Sequence, residues 1–150
     1  MILLALLLLQ QPETLSLLGE PLFSPSLSKA DKARANADLA TARAVYDRLP
    51  SKPEAILGLE QALRALGRIG DAIELLTHGL EANPDEPRLL LERGRHYISF
   101  RKFEVAARDL SKAAETLPAA RCALGLAYYL SADYARAKDT YAKCSDPGVF

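Results

Sequence analysis

Residues 84–118 read PDEPRLLLERGRHYISFRKFEVAARDLSKAAETLP, and the reading of this stretch decides the fold. It opens on Pro84 and closes on Pro118, thirty-four residues apart, and Pro50 lies the same distance upstream. That offset also pairs Ile56 with Leu90, Leu63 with Tyr97, Ile69 with Phe103, Ala72 with Ala106, Leu76 with Leu110 and Gly79 with Ala113. A third copy follows at an offset of thirty-one. It carries Gly94 to Gly125, Tyr97 to Tyr128, Phe103 to Tyr134, Ala106 to Ala137, Leu110 to Tyr141 and Ala113 to Cys144. Size classes match at every pair, and a period of this length marks an array of stacked units.

Each copy predicts two antiparallel helices and a short turn. In the first, Ser51 and Glu54 suggest a capping box with Pro53 in the first turn. Ile56, Leu59, Leu63 and Leu66 then recur at helical spacing, Gly67 and Gly70 break the chain, and Ala72, Ile73, Leu75, Leu76 and Leu80 mark the second helix. The second copy predicts helices from Pro87 to about Phe100 and from Phe103 toward Leu117; the third, from Ala119 to Leu130 and from Tyr134 to Cys144. The shorter last offset predicts that the second copy's second helix stops early, because Pro118 disfavours helix at Leu117. Small residues are expected to face one another, Gly94 against Ala106 and Gly125 against Ala137, with Tyr97, Leu110, Tyr128 and Tyr141 filling the gaps between hairpins.

Upstream, Ser28 is expected to cap an Ala-rich helix whose Leu39, Ala42, Tyr46 and Leu49 share a face. Before it the character changes. No Lys or Arg precedes Lys29, and Ile2 to Leu9 form an apolar run too short to span a bilayer but of a length suited to a secretory signal. Residues 11–28, with Pro12, Gly19, Pro21 and Pro25, read as an irregular strap whose Leu15, Leu17, Leu18, Leu22 and Phe23 lie against the first helices. The organisation expected is therefore a leader and strap over 1–27, a helix over 28–50, and repeats over 53–86, 87–117 and 118–150.

Gly94, Tyr97, Phe103, Ala106, Ala113 and Pro118, and again Leu124, Gly125, Tyr128, Tyr134, Ala137 and Tyr141, resemble the pattern of the tetratricopeptide repeat family. The resemblance covers about 53–150. It implies an all-α, right-handed superhelix of antiparallel hairpins, with an N-terminal helix and three repeats. Glu60, where the family favours a small residue, Gly79 and Arg121 depart from the pattern. The run Arg93 to Ser99, with the leader, is also similar to exported bacterial members, so a periplasmic or extracellular location is expected, a cytoplasmic one being the alternative.

Composition and motifs bound the function. Nineteen basic against nineteen acidic residues in 150 leave no net charge, which argues against a nucleic-acid partner. No catalytic, cofactor-binding or metal-binding motif is present, and His78 and His96 stand apart from any ligand cluster, so no enzyme activity, cofactor or metal is expected. Cys122 and Cys144 fall on the two helices of the third hairpin. Counting turns from a Gly125–Ala137 crossing sets Cys122 opposite Tyr141, one turn out of register, which favours two packed thiols over a bridge.

The resemblance implies a partner-binding concave face lined by the first helix of each hairpin. Carried onto this chain, its positions are Glu54, Leu57, Gln61 and Arg64; Arg88, Leu91, Glu92, Arg95 and Ile98; and Cys122, Leu126, Tyr129 and Leu130. Gln61, Arg64, Arg88, Leu91, Glu92, Arg95, Leu126 and Tyr129 are the residues expected to carry binding. The positions that in some members clamp a peptide carboxylate hold Leu57, Gln61, Glu92, Ala119 and Ala123 here, which disfavours that mode. The groove should grade from arginines to an apolar patch and suit an extended peptide with an acidic and an apolar portion. The expected function is a non-catalytic scaffold or assembly adaptor that binds a protein or peptide; the alternative is a regulatory or substrate-recruiting domain of a larger enzyme whose catalytic part lies outside this chain. A last hairpin without a polar cap implies self-association, a docked partner or a longer parent protein.

Overall fold

Among the described residues, seven helices follow one another with short connections: α1 (Lys29–Arg48), α2 (Pro53–Ala65), α3 (Ile69–Ala82), α4 (Pro87–Ser99), α5 (Phe103–Ala114), α6 (Ala120–Leu130) and α7 (Tyr134–Tyr141). The structure is a computed structural model that describes residues 14–15, 19–22 and 27–144. Each helix packs on the next, and α4 also touches α6 while α2 touches α4, so the hairpins α2–α3, α4–α5 and α6–α7 stack as an α-solenoid. The apolar leader 1–9, and Leu17, Leu18 and Phe23 of the strap, lie outside the described residues. Where the strap is described it is partly ordered: Thr14–Leu15 (β1) pairs antiparallel with Pro21–Leu22 (β2).

The core is one continuous seam of helix faces. Ile56, Leu59 and Leu63 of α2, Leu76 of α3, Leu89 of α4 and Leu110 of α5 are essentially removed from water. The Ser28 hydroxyl accepts from the Asp31 N–H at 3.1 Å and caps α1, as expected. Leu39, Ala42 and Tyr46 pack on the core, but Leu49 is exposed. The Ser51–Glu54 capping box does not form. Lys52, with extended backbone, is the N-cap residue of α2, so the helix starts one residue later and Ala55, not Glu54, takes the third helical position. Ser51 instead accepts through its carbonyl: Asn83 Nδ2 donates to it and to Gly79 O, both at 3.0 Å, which ties the α1–α2 and α3–α4 connections together.

All three hairpin turns share one backbone solution. Gly67, Arg101 and Ala132 adopt left-handed φ values of 71°, 59° and 63°. In each, the following N–H reaches back five residues, Arg68 to Leu63 O, Lys102 to Tyr97 O and Asp133 to Tyr128 O, at 2.8 to 2.9 Å. This is the Schellman closure, which satisfies carbonyls that the helix end leaves open. Only the first turn uses glycine; a side chain at the other two costs roughly 1–2 kcal/mol each. The second helix of the second hairpin ends at Ala114, which accounts for the shortened offset.

The packing register within hairpins differs from the expected one by a turn. A Cβ on Gly94 would stand 2.6 Å from Leu110 Cγ, and one on Gly125 would stand 2.9 Å from the Tyr141 ring. The glycines therefore receive Leu110 and Tyr141, not Ala106 and Ala137, and those large side chains fill the inside of a hairpin. A missing Cβ leaves a hollow, and a hollow is filled by a bulky neighbour. The same shift brings Cys122 opposite Cys144 with Cα atoms 5.1 Å apart, and the two are disulfide-bonded, contrary to the packed thiols expected. α7 turns Ala135, Lys138 and Asp139 outward, and Tyr134 at its start is its one exposed large apolar residue.

Candidate functional site

The spacing of 57, 60, 61 and 64 puts four side chains on one face of α2, and 92, 95, 96 and 99 put four on one face of α4. These faces meet around an open concavity of about 490 Å³ lined by Leu57, Glu60, Gln61, Arg64, Glu92, Arg95, His96 and Ser99. Its floor is polar. Glu60 and His96 are 3% and 4% exposed, and His96 Nε2 lies 2.8 Å from Glu60 Oε1 in a hydrogen bond across thirty-six residues of sequence. Such a pair is tolerated inside because each member satisfies the other. No buried side-chain nitrogen or oxygen among the described residues lacks a partner.

Each side of the rim carries an arginine. Arg64 stands 3.5 Å from Glu60 Oε1 and is half exposed. Arg95 pairs with Glu92 at 2.7 Å and is also half exposed. Long contacts and exposed ion pairs hold such side chains weakly, so both guanidinium groups are free to re-aim toward a ligand. Arg88 sits at the α4 N-terminal end, held at 2.8 Å by both Glu54 and Glu86. Those hydrogen bonds raise the Arg88 pKa, and the one from Arg88 lowers the Glu54 carboxyl below its ordinary range. It is a strap between the first two repeats.

The structure thus brings together Gln61, Arg64, Glu92 and Arg95 of the expected binding residues. It does not bring the other four to the same cavity. Arg88 is engaged as above. Leu91 is 6% exposed and belongs to the core cluster with Leu89 and Leu90, so it is not a groove residue. Leu126 is half-buried on α6, and Tyr129 is exposed near the end of that helix, its ring 5.6 Å from the Tyr134 ring. Cys122 is buried in its disulfide. The floor residues Glu60 and His96 were missed as site residues. Their signal was present, since Glu60 departs from the small residue of the repeat pattern and a buried acid demands a partner one repeat away.

On the opposite side of α4, Arg93 makes a two-pronged pair with Asp109 of α5 at 2.7 and 2.9 Å and donates to Thr77 of α3 at 3.2 Å. The bond to Asp109 raises the Arg93 pKa, fixing its charge. This pair holds three helices in register beneath the concavity's back wall. Among the described residues, no group of three or more His, Cys, Asp or Glu could hold a metal ion, and no helix is long and apolar enough to cross a membrane.

Residues 53–96 match the tetratricopeptide repeat family. Solved structures agree with the fold. A thermophilic tetratricopeptide-repeat protein of Thermus thermophilus is similar at 23% identity with a TM-score of 0.66, over 77% of this chain and 66% of that one. MamA is similar at 21% identity with a TM-score of 0.64, over 80% of this chain and 74% of that one. MamA from MSR-1 is similar at 25% identity with a TM-score of 0.63, over 77% and 68% of the two chains. The chain therefore spans about two thirds to three quarters of the length of these structures. No curated protein matches the sequence.

Proposed function

We propose that this chain, which matches the tetratricopeptide repeat family over residues 53–96 and stacks its helices as hairpins, is a scaffold or adaptor whose α2–α4 concavity binds an extended segment of a protein partner. The observation that carries the reading is the pair of half-exposed arginines, Arg64 and Arg95, one from each of two repeats, flanking a polar floor whose own hydrogen bonds are satisfied. A partner carboxylate entering there would add charge-assisted bonds to two guanidinium groups whose present ion pairs are weakened by exposure to solvent. An apolar portion of the same segment would continue along α6 toward Leu126.

Selection from a random peptide library tests this. Enriched peptides should carry acidic residues and bind Arg64→Glu/Arg95→Glu at least about tenfold more weakly than the parent. Equal binding by the parent and the double variant would refute the groove. We further assign the protein to an oxidising compartment, in keeping with the Cys122–Cys144 bridge. Alkylation of protein taken directly from cells, without reductant, should leave both cysteines unmodified; two alkylated thiols would argue for the cytoplasm.

A further inference from the structure

The hairpin turns lie along one edge of the stack, and they are not equivalent. In the first, the residue after the left-handed position pairs with a side chain three residues on, Arg68 with Asp71. In the third, Asp133 pairs with Arg136 at 2.6 Å. In the second, the matching residues are Lys102 and Val105, so the pair cannot form. Neither Arg101 nor Lys102 has a carboxylate partner among the described residues. Arg101 instead lies 5.6 Å from the Phe103 ring centroid, and Lys102 lies 5.9 Å from that of Tyr97.

Two further observations bear on the same edge. Arg101 occupies a left-handed position where the first repeat uses Gly67, so the backbone there favours a residue that could not supply the charge. The next turn displays Tyr129, Leu130 and Tyr134, which are 56%, 41% and 62% exposed and include the two most exposed large apolar side chains among the described residues. Between the two turns lies a cavity of about 250 Å³ lined in part by Glu104, Arg108, Ser131 and Arg136. With Glu104 the single unpaired carboxylate along it, the surface carries a net positive charge next to exposed aromatic rings.

We propose that this edge, from the α4–α5 turn to the α6–α7 turn, is a second docking surface that takes an acidic, aromatic-bearing segment of a protein partner. The cations without carboxylate partners supply the complementary charge, and Tyr129, Leu130 and Tyr134 supply an apolar platform that loses water on contact. The cavity between the two turns shares no lining residue with the concavity, so one partner segment can occupy each.

The test uses the full chain and a fluorescein-labelled peptide alternating glutamate pairs with single phenylalanines, followed by anisotropy. In the Arg95→Glu background, which weakens the concavity, binding should persist, weaken with added salt, and fall about tenfold further when Arg101→Glu/Lys102→Glu is added. Arg101→Gly separates docking from folding: it should melt at a higher temperature yet bind about threefold more weakly. No binding to the parent, unchanged binding in the double variant, or unchanged binding in Arg101→Gly would overturn the proposal. So would binding lost in Arg95→Glu, which places the peptide in the concavity. Two other occupants would also overturn it: phosphatidylglycerol vesicles that bind where the peptide does not, or self-association that the double variant abolishes.

Discussion

The α4–α5 hairpin has a stacked neighbour on each side, whereas α6–α7 has one among the described residues, and the two are held together by different chemistry. The inner hairpin has helices of 13 and 12 residues, Leu110 seated on Gly94 and the two-pronged Arg93–Asp109 pair. The outer one closes on an eight-residue helix whose single buried residue is Ala137, with Tyr141 seated on Gly125 and a disulfide behind it. A helix that short, buried on one side, gains little from packing. The covalent bond adds a loop constraint to the hairpin that, among the described residues, is packed from one side only.

The sharpest break of this comparison is at the inner crossing. Gly94→Leu would drive a side chain into Leu110 and should destabilise by about 3 kcal/mol or more, abolishing the thermal transition or lowering it steeply. Next comes the outer staple. Closing a loop of 22 residues is worth about 3 kcal/mol in chain entropy, so Cys122→Ala/Cys144→Ala should lose about that much. Hydrogen exchange should show the loss as opening confined to α7. Equal loss of protection in α4 and α5 would mean that the two hairpins form one unit.

Asp109→Ala strands Arg93 and should cost about 2–3 kcal/mol by chemical denaturation, below the full buried-pair figure because Arg93 keeps some solvent. Ala132→Gly acts in the other direction, raising stability by about 1 kcal/mol by relieving a left-handed side-chain position. The smallest effect is acid fraying of α7. Asp133 caps it, and the backbone and side chain of Arg136 lower the Asp133 pKa. A carboxyl depressed in the folded state contributes stability above its unfolded value of about 3.9, and that contribution disappears as pH falls through the folded value. Amide exchange in α7 should therefore rise below about pH 4 before α4 and α5 respond.

What could be learned from residue order alone divides along physical lines. The helices and their sequence were visible because apolar spacing and size classes recur, and recurrence is a property of the chain. The early end of α5 was visible because proline acts locally on Leu117. The register inside a hairpin was not, since it depends on which neighbour fills the hollow at Gly94 and Gly125, a choice made in three dimensions. One misplaced turn then carried Cys122 away from Cys144. The same limit applies to the concavity. Gln61, Arg64, Glu92 and Arg95 followed from position in the repeat, but Leu91 went to the core, and Glu60 with His96 formed the floor through a contact between repeats.

The bridge between Cys122 and Cys144 has one more consequence. It makes the α6–α7 turn, with its exposed Tyr129, Leu130 and Tyr134, the tip of a closed ring of polypeptide. A protease that cuts at that tip, or after Arg136 or Lys138 on α7, severs the chain without releasing either piece. The nicked molecule would migrate intact on a non-reducing gel and as two fragments once reduced.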